Sequence, residues 1–173
     1  MGKRRCGTCS ACCRWPLVAE IAKPAREPCR FLEKQGFRCK IYETRPEACA
    51  KYRCTWLRGM GATGDRPNDC GVLIDRRSTQ WGVVLVAKSL VPGAAMSPKG
   101  KRAIERTTRD EGLPCLVIDD DERVIGAAGP PEFMKEVMSK GPDIRLGGQK
   151  DWITNIVAAA QEGRVFPGLD HGG

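Results

Sequence analysis

Eight cysteines within residues 6–54 are the side chains in this sequence with the clearest capacity for chemistry. A C-x-x-C turn directs two sulfurs to one metal ion, and a third cysteine three positions later extends the same turn. Cys12 and Cys13 are adjacent and project differently, so that one suits a first site and the other a second site or a bridge. The spacing leaves open which of the two ligates and how many ions bind. The predicted ligands are Cys6, Cys9, Cys12, Cys13, Cys29, Cys39, Cys49 and Cys54.

The compartment decides between metal binding and disulfides for a chain with ten cysteines. The first residues are basic and lead into cysteines rather than an apolar segment, so we expect no secretory signal. No apolar stretch approaches the roughly 20 residues that cross a bilayer. We therefore expect a cytoplasmic protein, in which thiols stay reduced and metal binding is favoured over a disulfide framework or simple burial of the thiols.

Other catalytic chemistry finds little support in the sequence. The single histidine, His171, is third from the end, which argues against a Ser-His-Asp or Cys-His arrangement and against a zinc site with several histidines. Cys70 and Cys115 stand outside the cluster, in apolar segments that read as strands. We expect both to be core thiols.

The net charge of +8 is unevenly distributed along the chain. Residues 1–60 contain fourteen Lys and Arg against five Asp and Glu, which is +9, so the remainder carries −1. The basic excess therefore shares its segment with the cysteines, where it would stabilise thiolates and lower their pKa values. Nucleic-acid binding is the less favoured alternative, because the basic and aromatic residues do not interleave as in an RNA-binding sheet.

Zinc and iron-sulfur clusters both accept coordination by cysteines alone. Zinc suits tetrahedra of four thiolates and can tie together a segment with little core of its own. The C-x2-C-x2-C run also resembles the start of a bacterial ferredoxin motif, but the next cysteine follows immediately and no proline comes after it. We favour zinc narrowly over iron, which would most naturally bind as an iron-sulfur cluster.

The combined pattern resembles a known bacterial family. The elements are Cys6-x2-Cys9-x2-Cys12-Cys13, then Cys29-Arg-Phe-Leu, then Cys39-Lys-Ile-Tyr-Glu-Thr-Arg-Pro-Glu-Ala-Cys49. This is similar to the CxxCxxCC cysteine-cluster proteins, described as chelators of zinc or iron; flagellin lysine N-methylases carry a similar cysteine signature. The resemblance implies that the Cys6–Cys54 set forms the site, with Ile41-Tyr42 and Arg45-Pro46 in support. The resemblance does not indicate a reaction for this protein.

Arg45 is the candidate outer residue of this site. Its guanidinium could donate hydrogen bonds to thiolate sulfurs and so support the ligands without touching the metal. A salt bridge to Glu43 or Glu47 is the alternative.

The predicted fold is α+β, with a cysteine-rich, metal-bound N-terminal subregion packed on a small antiparallel sheet with helices. We divide the chain into this subregion (1–58), a connecting loop (59–69), an α+β region (70–162) and a loose tail (163–173). In the subregion, Pro28 and Gly36 bound a short predicted helix. Thr44 and Glu47 have capping-box spacing and predict a helix reaching about Arg58, unless it ends before Cys54.

The α+β region reads as two hairpins and three helices. Strands are predicted over 70–76 and 81–90, and over 113–119 and 122–127. Ser97-Pro98 begins a charged helix that Gly112 ends. Pro130-Pro131 begins another helix, and the apolar residues from Trp152 to Ala160 mark a last one.

Three functions fit these observations. The first is a metal-binding protein whose thiolate centre is structural or serves metal storage or delivery. The second is an iron-sulfur redox protein or a methyl-transfer-related enzyme, although the chain shows no nucleotide or S-adenosylmethionine motif. The third is a zinc-stabilised nucleic-acid-binding protein. The sequence names no substrate and no protein partner.

Overall fold

The structure is a computed structural model that describes residues 4–33, 37–79, 81–119 and 122–139. Three short helices occupy the N-terminal half: α1 (Ala11–Arg14), α2 (Glu47–Lys51) and α3 (Pro67–Cys70). The elements of the second half are β1 (Val72–Thr79), β2 (Gly82–Ser89), α4 (Pro98–Glu111), β3 (Cys115–Ile118), β4 (Val124–Ala128) and α5 (Pro131–Ser139). Single 3-10 turns lie at Ala19–Ile21, Thr63–Asp65 and Ala94–Met96.

The four strands form one sheet in the order β1-β2-β3-β4, which confirms the α+β class. Both predicted hairpins are present, because β1 pairs with β2 and β3 pairs with β4 in antiparallel fashion. The expectation of a wholly antiparallel sheet was wrong, since β2 and β3 are parallel. Parallel neighbours require a crossover between them, and α4 provides it.

Helix α4 follows the start and stop signals in the sequence. The Ser97 hydroxyl accepts a hydrogen bond from the Gly100 amide at 3.0 Å, Pro98 occupies the first helical position, and Gly112 ends the helix with φ of 64°. A positive φ favours glycine because it has no Cβ. Both predicted ends of this helix are therefore confirmed.

The sheet buries a different cluster on each face. Successive strand residues point to opposite faces, so Leu85 and Ala87 pack with Ala103 and Ile104 of α4, whereas Val84 and Val86 face the other side. That second face packs against Val137 of α5. Its β1 edge is covered by the cysteine segment, defined here as residues 4–58, because Leu73 packs with Trp15 and Trp56.

The cysteine segment contains little regular structure. The helix predicted from Pro28 is wrong for the described residues 28–33, which form turns and a bridge that pairs Leu32 with Cys39. Helix α2 is also shorter than predicted: it ends at Lys51, so Cys54 lies beyond it. The predicted connecting loop, 59–69, holds the 3-10 turn Thr63–Asp65 and the first residues of α3.

Helix α2 is capped from a distant part of the chain. Pro46, not Thr44, precedes the helix, and no side-chain cap comes from that position. Instead the two carboxylate oxygens of Glu20 accept hydrogen bonds from the Glu47 and Ala48 amides, both at 3.0 Å. A carboxylate at a helix N-terminus accepts hydrogen bonds from the free amides and interacts favourably with the helix dipole. The predicted capping box was wrong because this long-range carboxylate takes its place.

No helix in the described parts of the chain combines the length and apolar character needed to cross a membrane. The helix predicted from Trp152 to Ala160, the tail from residue 163 and His171 lie outside the described residues.

Replacing Gly100 with alanine is expected to destabilise the sheet region. A Cβ there would overlap the carbonyl oxygen of Ala94 and lie 2.9 Å from its carbonyl carbon, so backbone would have to move. We expect Gly100→Ala to lower the free energy of unfolding by about 2–3 kcal/mol, measured by urea denaturation followed by circular dichroism. Gly64→Ala is the control, because nothing lies within 4 Å of its Cβ position. Equal stability of the Gly100→Ala and Gly64→Ala variants would contradict the close packing of Gly100 against Ala94.

Candidate metal centre

All eight cysteines of the sequence signature line one cavity of about 970 Å³ in the cysteine segment. Pro67 and Leu73 close it on the side of the sheet. Cys70 and Cys115, the two cysteines outside the signature, are buried in the core between the sheet and α4, as predicted. None of the ten cysteines forms a disulfide.

The thiols surround the cavity without meeting at one point. In the described residues, no three Cys, His, Asp or Glu side chains converge closely enough to form a ready-made metal site. The structure thus brings all eight predicted ligands to the wall of one cavity.

The first four cysteines are positioned by tight local turns. The Cys9 amide donates to the Cys6 carbonyl at 2.9 Å, and the Cys13 amide donates to the Ser10 carbonyl at 2.9 Å. Ser10, the residue before α1, is only 1% exposed, so the start of this helix is buried. The Cys9 thiol also donates to the Asn68 side-chain oxygen at 3.5 Å, so one residue of α3 supports this turn.

Long-range backbone contacts position the next cysteines. The Cys29 amide donates to the Cys13 carbonyl at 2.8 Å, which joins two predicted ligands sixteen residues apart in the sequence. The bridge between Leu32 and Cys39 returns the chain to the cavity. Cys49 is the third residue of α2, whose N-terminus is held by Glu20.

Cys54 is held against the sheet. The amide and hydroxyl of the next residue, Thr55, both donate to the Ile74 carbonyl of β1, at 3.2 and 2.9 Å. Cys54 is buried beside Ala11 and Leu73, and burial raises the pKa of its thiol to about 12. The position of this predicted ligand therefore depends on the sheet, whereas a local turn positions Cys9.

The first group of thiols comprises Cys6, Cys9 and Cys54, which influence one another electrostatically. Burial raises the pKa of Cys6, and the neighbouring Cys9 and Cys13 thiols raise it further. The pKa of Cys54 is raised by burial and additionally by Cys9 and Cys6. Charge on any one of these sulfurs thus disfavours charge on the others, which is what closely placed thiols do before a cation neutralises them.

The second group of thiols comprises Cys49 and the three cysteines that act on it. Burial raises its pKa, and the neighbouring thiols that raise it further are Cys13, Cys29 and Cys39. Cys13 is therefore the member that lies near both groups. Its partner Cys12 interacts with Cys6 and Cys9, two members of the first group.

The adjacent pair Cys12 and Cys13 is strongly coupled. A hydrogen bond between the two side chains lowers the pKa of Cys13 and raises that of Cys12. The positive charges of Lys23 and Arg14 lower the pKa of Cys13 as well. Cys13 is accordingly the member of the pair that ionises first, on the side of the cavity near Lys23.

Lys23 is a buried cation beside the second group. It is only 5% exposed, and its ammonium donates to the carbonyls of Pro16 at 2.6 Å, Pro24 at 2.9 Å and Arg14 at 3.3 Å. Burial lowers its pKa, while Cys29, Cys13 and Cys49 act to raise it. None of the ion pairs found in the described part of the chain involves Lys23. Thiolates of the second group are therefore suitable counter-charges for this ammonium.

Arg45 lies between the two groups. Its guanidinium stacks 3.8 Å from the centre of the Tyr42 ring, and its pKa is raised chiefly by Tyr42 and further by the Cys39 and Cys6 thiols. Its Nε is buried without a hydrogen-bond partner among the described residues. This places the predicted outer residue at the cavity, facing thiols of both groups, with a donor still available for an anionic centre.

Sequence reasoning missed Lys23 and Asn68. Lys23 is one of many basic residues in residues 1–60, and only its burial distinguishes it from the others. Asn68 lies in the segment that we read as a connecting loop. Nothing local in the sequence marks Lys23 as lining the cavity or Asn68 as a partner of the Cys9 thiol.

A polar chain connects the cavity to the sheet. Tyr52 lines the cavity, and its hydroxyl donates to the carboxylate of Asp75 on β1 at 2.6 Å. Burial raises the pKa of Asp75 and lowers that of the nearby Lys88 to about 8. The Tyr52–Asp75 hydrogen bond anchors the cysteine segment on β1 in addition to Leu73, and the Lys88 ammonium, 5.5 Å from the centre of the Trp15 ring, adds a contact with β2.

Comparison of the chain with protein-family models, with curated proteins and with solved structures gave no match.

Proposed function

We propose that this is a metal-binding protein whose cysteine segment holds two metal centres, each with four thiolates. The first set is Cys6, Cys9, Cys12 and Cys54, and the second is Cys13, Cys29, Cys39 and Cys49. Zinc is the preferred metal, because four thiolates satisfy its tetrahedral coordination. The centres then serve a structural role or one in metal storage or delivery, in a cytoplasmic protein whose reducing compartment keeps the thiols available for metal.

The observation that carries this proposal is the common cavity. Eight of the ten cysteines line it, while the other two are buried in the sheet core. The division into two sets rests on the mutual effects of the thiols, since Cys54 interacts with Cys6 and Cys9, and Cys49 with Cys13, Cys29 and Cys39. The buried Lys23 and the unpartnered Nε of Arg45 supply positive charge for anionic centres.

An iron-sulfur protein is the second candidate. A cluster carries its own bridging sulfides, so its cysteine sulfurs are spaced more widely than those around a single zinc ion. The cavity, about 970 Å³, has room for such a cluster. Electron transfer or cluster-dependent catalysis, including methyl-transfer-related chemistry, would follow from it.

Metal analysis of anaerobically purified protein, together with its visible absorption spectrum, tests the proposal. Two equivalents of zinc without colour would support the preferred form. Iron with acid-labile sulfide and a broad brown absorption would support the second candidate. Protein that retains neither metal and takes up none after reduction of its thiols would contradict both.

Replacing Lys23 with methionine is expected to weaken the second centre selectively. The variant keeps an apolar stem but removes a buried positive charge near Cys13, Cys29 and Cys49. We expect a loss of roughly 10- to 100-fold in affinity for one metal equivalent, measured by competition with a chromophoric chelator.

Arg58→Met is the matched control, because Arg58 is exposed and lies outside the cavity lining. Equal weakening of both equivalents, or the same loss in the Arg58 variant, would show that Lys23 does not act on one centre.

A further inference from the structure

The surface of the cysteine segment carries more positive charge than its metal centres require. Two divalent ions held by eight thiolates have a formal charge of about −4, whereas residues 1–60 carry +9. Full loading would therefore leave a clear excess of positive charge. Only one ion pair, Lys51 with Glu47, lies within the described residues of the segment. The exposed basic residues beyond that pair are Arg5, Arg14, Arg26, Arg30, Arg38, Lys40, Arg53 and Arg58.

Part of this charge surrounds the opening of the cavity. Arg5, Arg38, Lys40 and Arg53 are exposed and also line the cavity. Two aromatic side chains with the same property, Phe37 and Tyr42, are 50% and 57% exposed. We call these six residues the basic mouth. The basic mouth therefore combines exposed aromatic rings with exposed positive charge.

The chemistry of the basic mouth suits single-stranded nucleic acid. Arginine binds phosphate through a planar fork of donors, and three of the four basic residues here are arginines. Exposed aromatic rings offer faces on which unpaired bases stack. Arg45 already covers one face of Tyr42, which leaves its other face and the ring of Phe37 for a ligand.

Duplex DNA fits this surface less well. Reading the major groove commonly requires a helix long enough to lie in it, and α1 and α2 have four and five residues. Paired and stacked bases would also leave the exposed rings without a partner. An acidic protein would satisfy the charges, but it gives no specific reason for the open aromatic faces.

We propose that the basic mouth binds single-stranded nucleic acid, with Arg5, Arg38, Lys40 and Arg53 on phosphates and with Phe37 and Tyr42 stacked on bases. This goes beyond the proposed metal binding and rests on it, because all four basic residues of the mouth are direct sequence neighbours of predicted ligands, Cys6, Cys39 and Cys54. Binding is expected to be largely independent of sequence, because stacking and phosphate contacts read no base edges.

Fluorescence anisotropy with a labelled oligothymidylate of about 16 nucleotides tests the proposal on the full-length, metal-loaded protein. Four phosphate contacts predict that affinity falls on the order of 50-fold between about 50 and 200 mM salt. The double variant Arg38→Glu/Lys40→Glu is expected to lose most of this binding and to show a shallower salt dependence. Phe37→Ala should weaken binding at every salt concentration, whereas Phe37→Trp, which keeps an aromatic ring, should retain the affinity of the unchanged protein.

The matched control is Lys101→Glu/Arg102→Glu, which makes the same charge change at exposed positions on α4, across the sheet from the cysteine segment. It should keep most of the affinity. Metal content is measured for every variant, so that loss of a metal centre is distinguished from loss of the mouth. Poly-glutamate of similar length serves as the competitor.

Three results would overturn the proposal. One is no binding at about 50 mM salt by protein that contains its metal. Another is displacement by poly-glutamate as effective as by unlabelled oligonucleotide, with no effect of Phe37→Ala, which would indicate an acidic protein partner. The third is equal loss of affinity in the α4 control, which would indicate diffuse charge rather than the basic mouth.

Discussion

Removal of the metal by a strong chelator is expected to unfold the cysteine segment while the sheet and α4 stay folded. Where the structure describes it, the segment has two helices of four and five residues and single bridges in place of strands. Its apolar cluster is small and includes Leu73, which belongs to the sheet. A four-cysteine zinc site contributes on the order of 10 kcal/mol to folding, which such a core cannot replace.

The sheet provides the internal comparison for this experiment. Residues 84–87 of β2 have no exposed surface and are packed on both faces, by α4 and by α5. Amide hydrogen exchange followed by mass spectrometry should therefore show lost protection in residues 4–58 on chelation and retained protection in β2 and β3. Retained protection of the cysteine segment after complete metal removal would mean that it folds by packing alone.

Single cysteine substitutions are expected to remove one metal equivalent each. Cys54→Ser disables the first set and Cys29→Ser the second, so each variant should retain the other equivalent. The double variant should retain neither. Because each set has only four thiolates, loss of one ligand opens a coordination position and weakens the site severely. Metal analysis after gel filtration measures the content directly.

Cys115→Ala is the control for these variants, since Cys115 is fully buried in the sheet core, away from the cavity. It should retain both equivalents. Loss of both equivalents from either single variant would contradict separate centres and indicate one polynuclear centre bridged through Cys13, which lies near both groups.

Local signals in the sequence predicted the second half of the fold well. Ser97, Pro98 and Gly112 act within one helical turn of the residues they cap, so the bounds of α4 followed from them. The hairpins followed from alternating apolar residues and polar turns. The parallel pairing of β2 with β3 did not follow from such signals. It depends on which edge of the first hairpin the second hairpin joins after α4 crosses the sheet.

The cysteine segment was harder to predict in detail. Pro28 carries a helix-start signal, but the pairing of Leu32 with Cys39 takes the backbone groups that a helix would use. Thr44 carries a capping signal, yet Glu20, which lies 27 residues from Glu47, caps α2. In both places a long-range contact replaced a local one, as happens where helix propensity is weak and the segments are short.

The sequence by itself determined which side chains are available as ligands. Eight cysteines clustered within residues 6–54, with basic residues among them, define the candidate donor set, and two more cysteines lie apart from it in apolar segments. Turn geometry acts over a few residues, so this information is local. Tertiary structure decided which thiols are neighbours. The Cys29 amide bonded to the Cys13 carbonyl and the burial of Lys23 join segments that are distant in the chain, and no local pattern encodes contacts of that range.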